Sequence, residues 1–115
     1  MQELESRLKD DLCKIGLDVS DCTFVIRGYS KSYFGRYNPN NDNLILYVWK
    51  YPNGVMYSYL EILLTAIHES THRKQWKDPK FKRRKGIMHD PEFYELYNKY
   101  VDKAKSMLSC MEVRK

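Results

Sequence analysis

Three cysteines, three histidines, five glycines and four prolines are all that the 115 residues hold of these types. Cys13, Cys22 and Cys110 are odd in number and show no CxxC spacing, which excludes a zinc ribbon and argues against a disulfide framework. A reducing, cytoplasmic compartment is therefore expected. The longest apolar runs, LILYVW and ILLTAI, fall well short of the roughly 18 residues that cross a bilayer, so no membrane partner is expected. The opening MQELESRLKDD is charged from its first residues and does not read as a signal peptide. No repeat and no low-complexity stretch interrupts the chain.

What is present describes a globular protein. Hydrophobic residues make up 43% and aromatics 14%, and one domain over residues 1–115 can bury a core without disulfides or a structural metal. Ten tyrosines against four phenylalanines imply many rings that are half in the core and half wet. The net charge of +5 permits an acidic or nucleic-acid partner without requiring one.

Leu4, Leu8, Leu12 and Ile15 recur at helical spacing and Gly16 follows as a stop, which predicts a helix over 2–15. CTFVIRGYS predicts a strand at about 22–28. SYFGRY and NLILYVW are two further strands, and the turn formers NPNNDN between them predict a hairpin. YPNG marks another turn. Ser58 and Glu61 then form a capping box ahead of a helix at about 59–76, with Leu60, Leu63, Ile67 and Ser70 on its buried stripe. After the loop KDPKFKRRKG comes a last helix, with Asp90 as N-cap, Pro91 as first residue, and an apolar face of Phe93, Leu96, Tyr97, Tyr100, Val101, Ala104 and Leu108. The order predicts an α+β domain with a small antiparallel-rich sheet.

Two of the three histidines lie in HESTH, His68 to His72. Residues four apart share a helix face, so both imidazoles can reach one ion. Glu69, turned about 100° away, is placed for a water rather than for the ion. Two neutral nitrogens with an adjacent carboxylate are the donor set of a catalytic zinc. Glu69 would act as general base on a metal-activated water attacking a peptide carbonyl. Such a zinc needs a third protein ligand. His89 is preferred over Asp90, which is explained as an N-cap, and over Glu92, whose charge suits the first turn of a helix. One zinc per chain is thus expected on His68, His72 and His89.

HESTH, a basic stretch and then HDPEF opening an amphipathic helix together resemble the SprT-like zinc metallopeptidases, which include the Spartan proteases. FGRYNPNNDNLILY resembles the strand pair that precedes their active helix, so the likeness covers about residues 30–105. It implies a compact zincin fold, with His68, His72 and His89 as zinc ligands and Glu69 as the catalytic acid/base. It also implies an intracellular peptidase, often acting on DNA-bound proteins. The C-terminal cysteine ribbon frequent in that family has no counterpart here. Ser70 and Thr71 stand where apolar or small residues are usual, and Asp90 where glycine is common.

Eight basic residues lie within the thirteen positions Arg73 to Lys85. Beside an active site they could hold a phosphate backbone or an acidic protein segment, with Lys82, Arg83, Arg84 and Lys85 the densest group. The alternative is a solvated loop. Trp76 and Phe81 among them are expected to pin that segment to the core. The strand over 43–49 is expected at the sheet edge beside the metal, where an extended peptide could add. A tyrosine or arginine donor for the developing oxyanion is expected, without a choice among ten tyrosines. The cysteines read as small buried hydrophobes. The main alternative function is a non-catalytic, zinc-stabilised scaffold that binds nucleic acid or a partner protein through the basic loop. A metal-free helical adaptor is a third.

Overall fold

A computed structural model describes residues 2–28, 30, 34–50, 54–77 and 91–113 of the chain. They form an α+β fold in which three helices accompany a three-stranded mixed sheet, in the order α1 (Gln2–Lys14), β1 (Thr23–Arg27), β2 (Gly35–Asn38), β3 (Asn43–Tyr47), α2 (Tyr59–Lys77) and α3 (Pro91–Val113). Among the described residues no helix is long and apolar enough to cross a membrane.

Helix α1 buries Leu8, Leu12 and, just beyond its end, Ile15. It stops where Gly16 takes φ +100°, a conformation that suits a residue without Cβ. The Gly16 N–H donates to the Cys13 carbonyl at 3.0 Å and the Leu17 N–H to that of Leu12 at 2.8 Å. This pair of bonds satisfies carbonyls that the helix end leaves open. The buried Asp11 accepts a hydrogen bond from the Tyr59 hydroxyl, which ties α1 to the first turn of α2.

The sheet order is β1–β3–β2. The hairpin expected from NPNNDN is present: β2 runs antiparallel to β3 with Asn38 opposite Asn43 and Gly35 opposite Leu46. Two expectations are corrected. The sheet is mixed rather than antiparallel-rich, because β1 pairs parallel with β3. And β3 is the central strand, so the edge beside α2 is β2. Leu44 and Leu46 fill the core from β3, which a central strand covered on its inner face requires.

Backbone directions alternate along β2. The Phe34 carbonyl accepts from the Tyr47 N–H at 3.0 Å, so Gly35 and Tyr37 turn their own backbone groups to the outer edge.

Helix α2 is the centre of the molecule and contacts α1, β2, β3 and α3. The capping box forms: Ser58 N–H donates to Glu61 Oε2 at 2.9 Å, and Glu61 N–H to Ser58 Oγ at 3.2 Å. Leu63, Ile67 and Ser70 are buried as expected, but Leu60 is 38% exposed on the first turn. Burial is also wider than a stripe: from Ala66 to Arg73 every residue except His68 is buried. Helix α3 buries Phe93, Tyr100, Val101 and Ala104, with Leu96, Tyr97 and Leu108 packed at the margin of the core.

Cys22 is buried, its thiol directed to the Asp42 carbonyl oxygen at 3.2 Å, whereas Cys13 is exposed, contrary to expectation. Cys13 follows Leu12 on α1 and so falls on the solvent side of that helix.

Candidate metal-dependent active site

HESTH lies in the buried half of α2. The His68 and His72 rings meet edge to face with centroids 4.9 Å apart, as residues one turn apart on one face must. Phe93 of α3 closes on both of them: it stacks on His72 at 4.3 Å and meets His68 edge-on at 5.0 Å. Phe93 is fully buried, so the residue four places after His89 is the hydrophobic plug behind the two imidazoles.

Glu69 is 8% exposed, and its carboxylate reaches within 3.8 Å of His68 Nε2. Burial pushes its carboxyl up to about 7, against the opposing effect of the Tyr37 backbone N–H that donates to it. That N–H belongs to the outer edge of β2, so the edge strand itself holds Glu69. A cavity of about 350 Å³ opens over His68 and Glu69, lined also by Phe34 and Gly35 from the β2 side and by Tyr97 from α3. Tyr97 packs edge-on to His68 at 5.5 Å, and burial pushes its phenol upward.

Ser70 and Thr71 are buried behind the motif. Thr71 Oγ1 donates to the Ile67 carbonyl at 2.7 Å, which lets a hydroxyl stand in the core without an unmet hydrogen bond. Ser70 Oγ is a buried side-chain oxygen without such a bond.

Arg73, next after His72, is only 7% exposed and is not part of a solvated basic run. It donates from Nε to Asp42 Oδ1 at 2.9 Å, and from Nη2 to Asp42 Oδ2 at 3.1 Å and Asp21 Oδ1 at 2.8 Å. Lys77 Nζ adds a contact to Asp42 at 3.1 Å. Arg73 and Lys77 are thus engaged in holding α2 to the hairpin turn. Trp76, expected to pin the segment to the core, is 45% exposed.

His89 and Asp90 lie outside the described residues, as do Lys82, Arg83, Arg84, Lys85 and Phe81. Glu92, the other rival ligand, is exposed on the first turn of α3. Among the described residues no group of three or more His, Cys, Asp or Glu side chains could hold a metal ion. What they contain is the pair of imidazoles and the adjacent buried carboxylate. This donor set fits a divalent metal that accepts nitrogen, zinc foremost.

On the sequence, Tyr97 and Phe93 belong to the apolar face of the last helix, and nothing there marks them as part of the site. The alternation of Phe93 and Tyr97 at i, i+4 on the face of α3 was a signal that both would meet α2 together. No family model, curated protein or solved structure matches the chain.

Proposed function

We propose that the chain is a zinc-dependent metallopeptidase of the SprT-like, zincin-type kind, with Glu69 as general base. The observation that supports it is an arrangement of three side chains: His68 and the buried Glu69 line one cavity, and His72 stands one turn on along the same face of α2, with Phe93 packed against both imidazoles. Structural carboxylates on helix surfaces are exposed; a carboxylate kept dry in a cavity next to two histidines has the environment of an acid–base group.

His68 and His72 would hold the metal together with His89, from the segment that leads into Phe93. When bound, zinc supplies a Lewis acid that polarises the scissile carbonyl and acidifies water. The protein residues do the rest. Glu69 accepts a proton as a water oxygen bonds to the carbonyl carbon, then delivers it to the amine nitrogen as the C–N bond breaks. The nearby cation would also keep Glu69 ionised before reaction, since an opposite charge lowers a carboxyl pKa. The Tyr37 N–H fixes the carboxylate, and the outer edge of β2 at Gly35 offers backbone groups on which an extended peptide can pair.

The test has two parts. Zinc is measured by elemental analysis after dialysis in the wild type, His72→Ala and His89→Ala; about one zinc per chain, lost or weakened in both variants, is expected. Cleavage of an unfolded protein such as casein is then compared with Glu69→Gln, which should retain metal and lose roughly 100-fold or more in rate. A wild type that takes up no zinc sinks the proposal. Zinc uptake without cleavage would leave the scaffold reading in its place.

A further inference from the structure

We infer that Tyr97 is the hydrogen-bond donor that stabilises the negative charge developing on the scissile carbonyl oxygen, an assignment that rests on the metallopeptidase reading above. Hydrolysis of an amide passes through a tetrahedral oxyanion, and a pre-oriented donor in a water-poor cavity is worth most there. Among the described residues the cavity over His68 and Glu69 has few candidates. Thr65 Oγ1 is engaged with the Glu61 carbonyl at 3.1 Å. Glu69 is the base, the side chains of Phe34 and Leu64 have no polar atom, and the outward backbone groups of Gly35 are those offered for pairing with the peptide main chain.

Tyr97 remains. It lines the same cavity from α3, and among the described residues its hydroxyl has no hydrogen-bond partner. A half-buried phenol usually finds one, so an uncommitted hydroxyl on a cavity-lining residue is a group available to a ligand.

The ring is also oriented. Tyr97 lies nearly parallel to Phe93, with an interplanar angle of 8° and centroids 5.9 Å apart, while His68 meets it edge-on. Phe93 is in turn fixed against both histidines. One aromatic stack therefore sets the imidazoles and the phenol relative to each other, without any bond to the hydroxyl itself. The other described tyrosines near the site lack this position. The Tyr37 hydroxyl donates to Asp42 at 2.7 Å, and Tyr94 is 48% exposed on the far side of Phe93.

The experiment uses the zinc-reconstituted full chain and the variants Tyr97→Phe and Tyr94→Phe, both of which keep the ring. Zinc stoichiometry and melting temperature verify that the variants stay intact. Calorimetry then measures two probes. A peptide phosphonate carries the tetrahedral oxyanion; a peptide hydroxamate binds metal without one. In Tyr97→Phe the phosphonate should bind 10- to 100-fold more weakly, with hydroxamate affinity changed less than threefold. Casein cleavage should fall in kcat by roughly 100-fold with KM little altered. Tyr94→Phe should match the wild type in every readout. Equal phosphonate affinity in Tyr97→Phe and wild type overturns the assignment and leaves the peptidase reading standing. A wild type that binds neither zinc nor hydroxamate overturns both.

Discussion

Arg73 sits directly after His72 and closes a fork on both carboxylate oxygens of Asp42, thirty-one residues earlier in the chain, at 2.9 and 3.1 Å. Asp42 lies in the β2–β3 turn with φ +55°, a conformation that aspartate accepts more readily than most residues. It also accepts from Tyr37 and Lys77, so one carboxylate joins the hairpin turn, the edge strand and α2. Removing it leaves the buried guanidinium with only the exposed Asp21 and the Asp18 carbonyl. Asp42→Ala should destabilise the fold by about 2–3 kcal/mol, and Arg73→Lys by less, since it loses the fork but keeps the charge. Urea midpoints at neutral pH measure both; a loss under about 0.5 kcal/mol for Asp42→Ala would show the clamp to be incidental.

The same clamp makes the fold acid-sensitive. The Arg73 guanidinium, with further hydrogen bonds from Tyr37 and Lys77, holds the Asp42 carboxyl well below the usual carboxylate range. A depressed folded-state pKa favours the ionised form in the native state. Its contribution is therefore present above the unfolded value, about 4, and is lost as pH falls below that toward the folded pKa. Wild type and Asp42→Asn should differ most near pH 6 and converge as the pH drops under about 4. A difference in urea midpoint that stays constant from pH 6 to pH 3 would contradict this.

Phe93 links core and site. It is fully buried, and truncation to alanine would open a cavity behind both imidazoles as well as remove the stack on His72. Phe93→Ala should cost about 3–5 kcal/mol, and Phe93→Leu, which keeps most of the volume, about 1–2 kcal/mol. Affinity for the proposed zinc, measured by competition with a chromophoric chelator, should fall in the same order. The expected pattern is loss of metal at temperatures where circular dichroism still reports a folded chain, because the rings lose their backing before the helix melts.

What could be read beforehand was the local part. Gly16 as a helix stop, the Ser58–Glu61 box, the NPNNDN hairpin and the apolar face of α3 each carry a signature within a few residues, and each is present. The strand order was not readable, because the parallel pairing of β1 with β3 has no turn to announce it. From NLILYVW alone a central strand and a half-covered edge strand look alike. The Arg73–Asp42 pair was hidden in another way. Arg73 opens a run of basic residues and was counted with them, although it lies three residues after the buried Ser70, on the face of α2 turned inward. An arginine on an apolar stripe calls for a buried carboxylate, and that rule would have separated it from its neighbours. In the site, HESTH was legible as chemistry from spacing alone. The wall that faces it was not, since Phe34, Gly35 and Tyr97 are brought there by two other elements.

Gly35 offers the most direct test of how β2 meets the site. A Cβ there would lie 2.7 Å from Thr65 Cγ2 and 2.9 Å from the Ile45 carbonyl oxygen, closer than such contacts allow. The glycine is thus required by close approach of the edge strand to α2, one turn before Glu69. Gly35→Ala should cost about 1–3 kcal/mol, as overpacking does. Thr65→Ser removes the offending methyl but not the carbonyl, so Gly35→Ala/Thr65→Ser should recover roughly half of the loss, a coupling expected of residues in contact. Moving β2 off α2 relieves the contact with Thr65, and that movement withdraws the Tyr37 N–H from Glu69. The rate of the proposed peptidase reaction in Gly35→Ala should consequently fall further than stability alone accounts for, at a temperature where the variant is fully folded. If the double variant recovers stability in full, the backbone contact with Ile45 is not limiting, and β2 has more room beside α2 than its spacing implies.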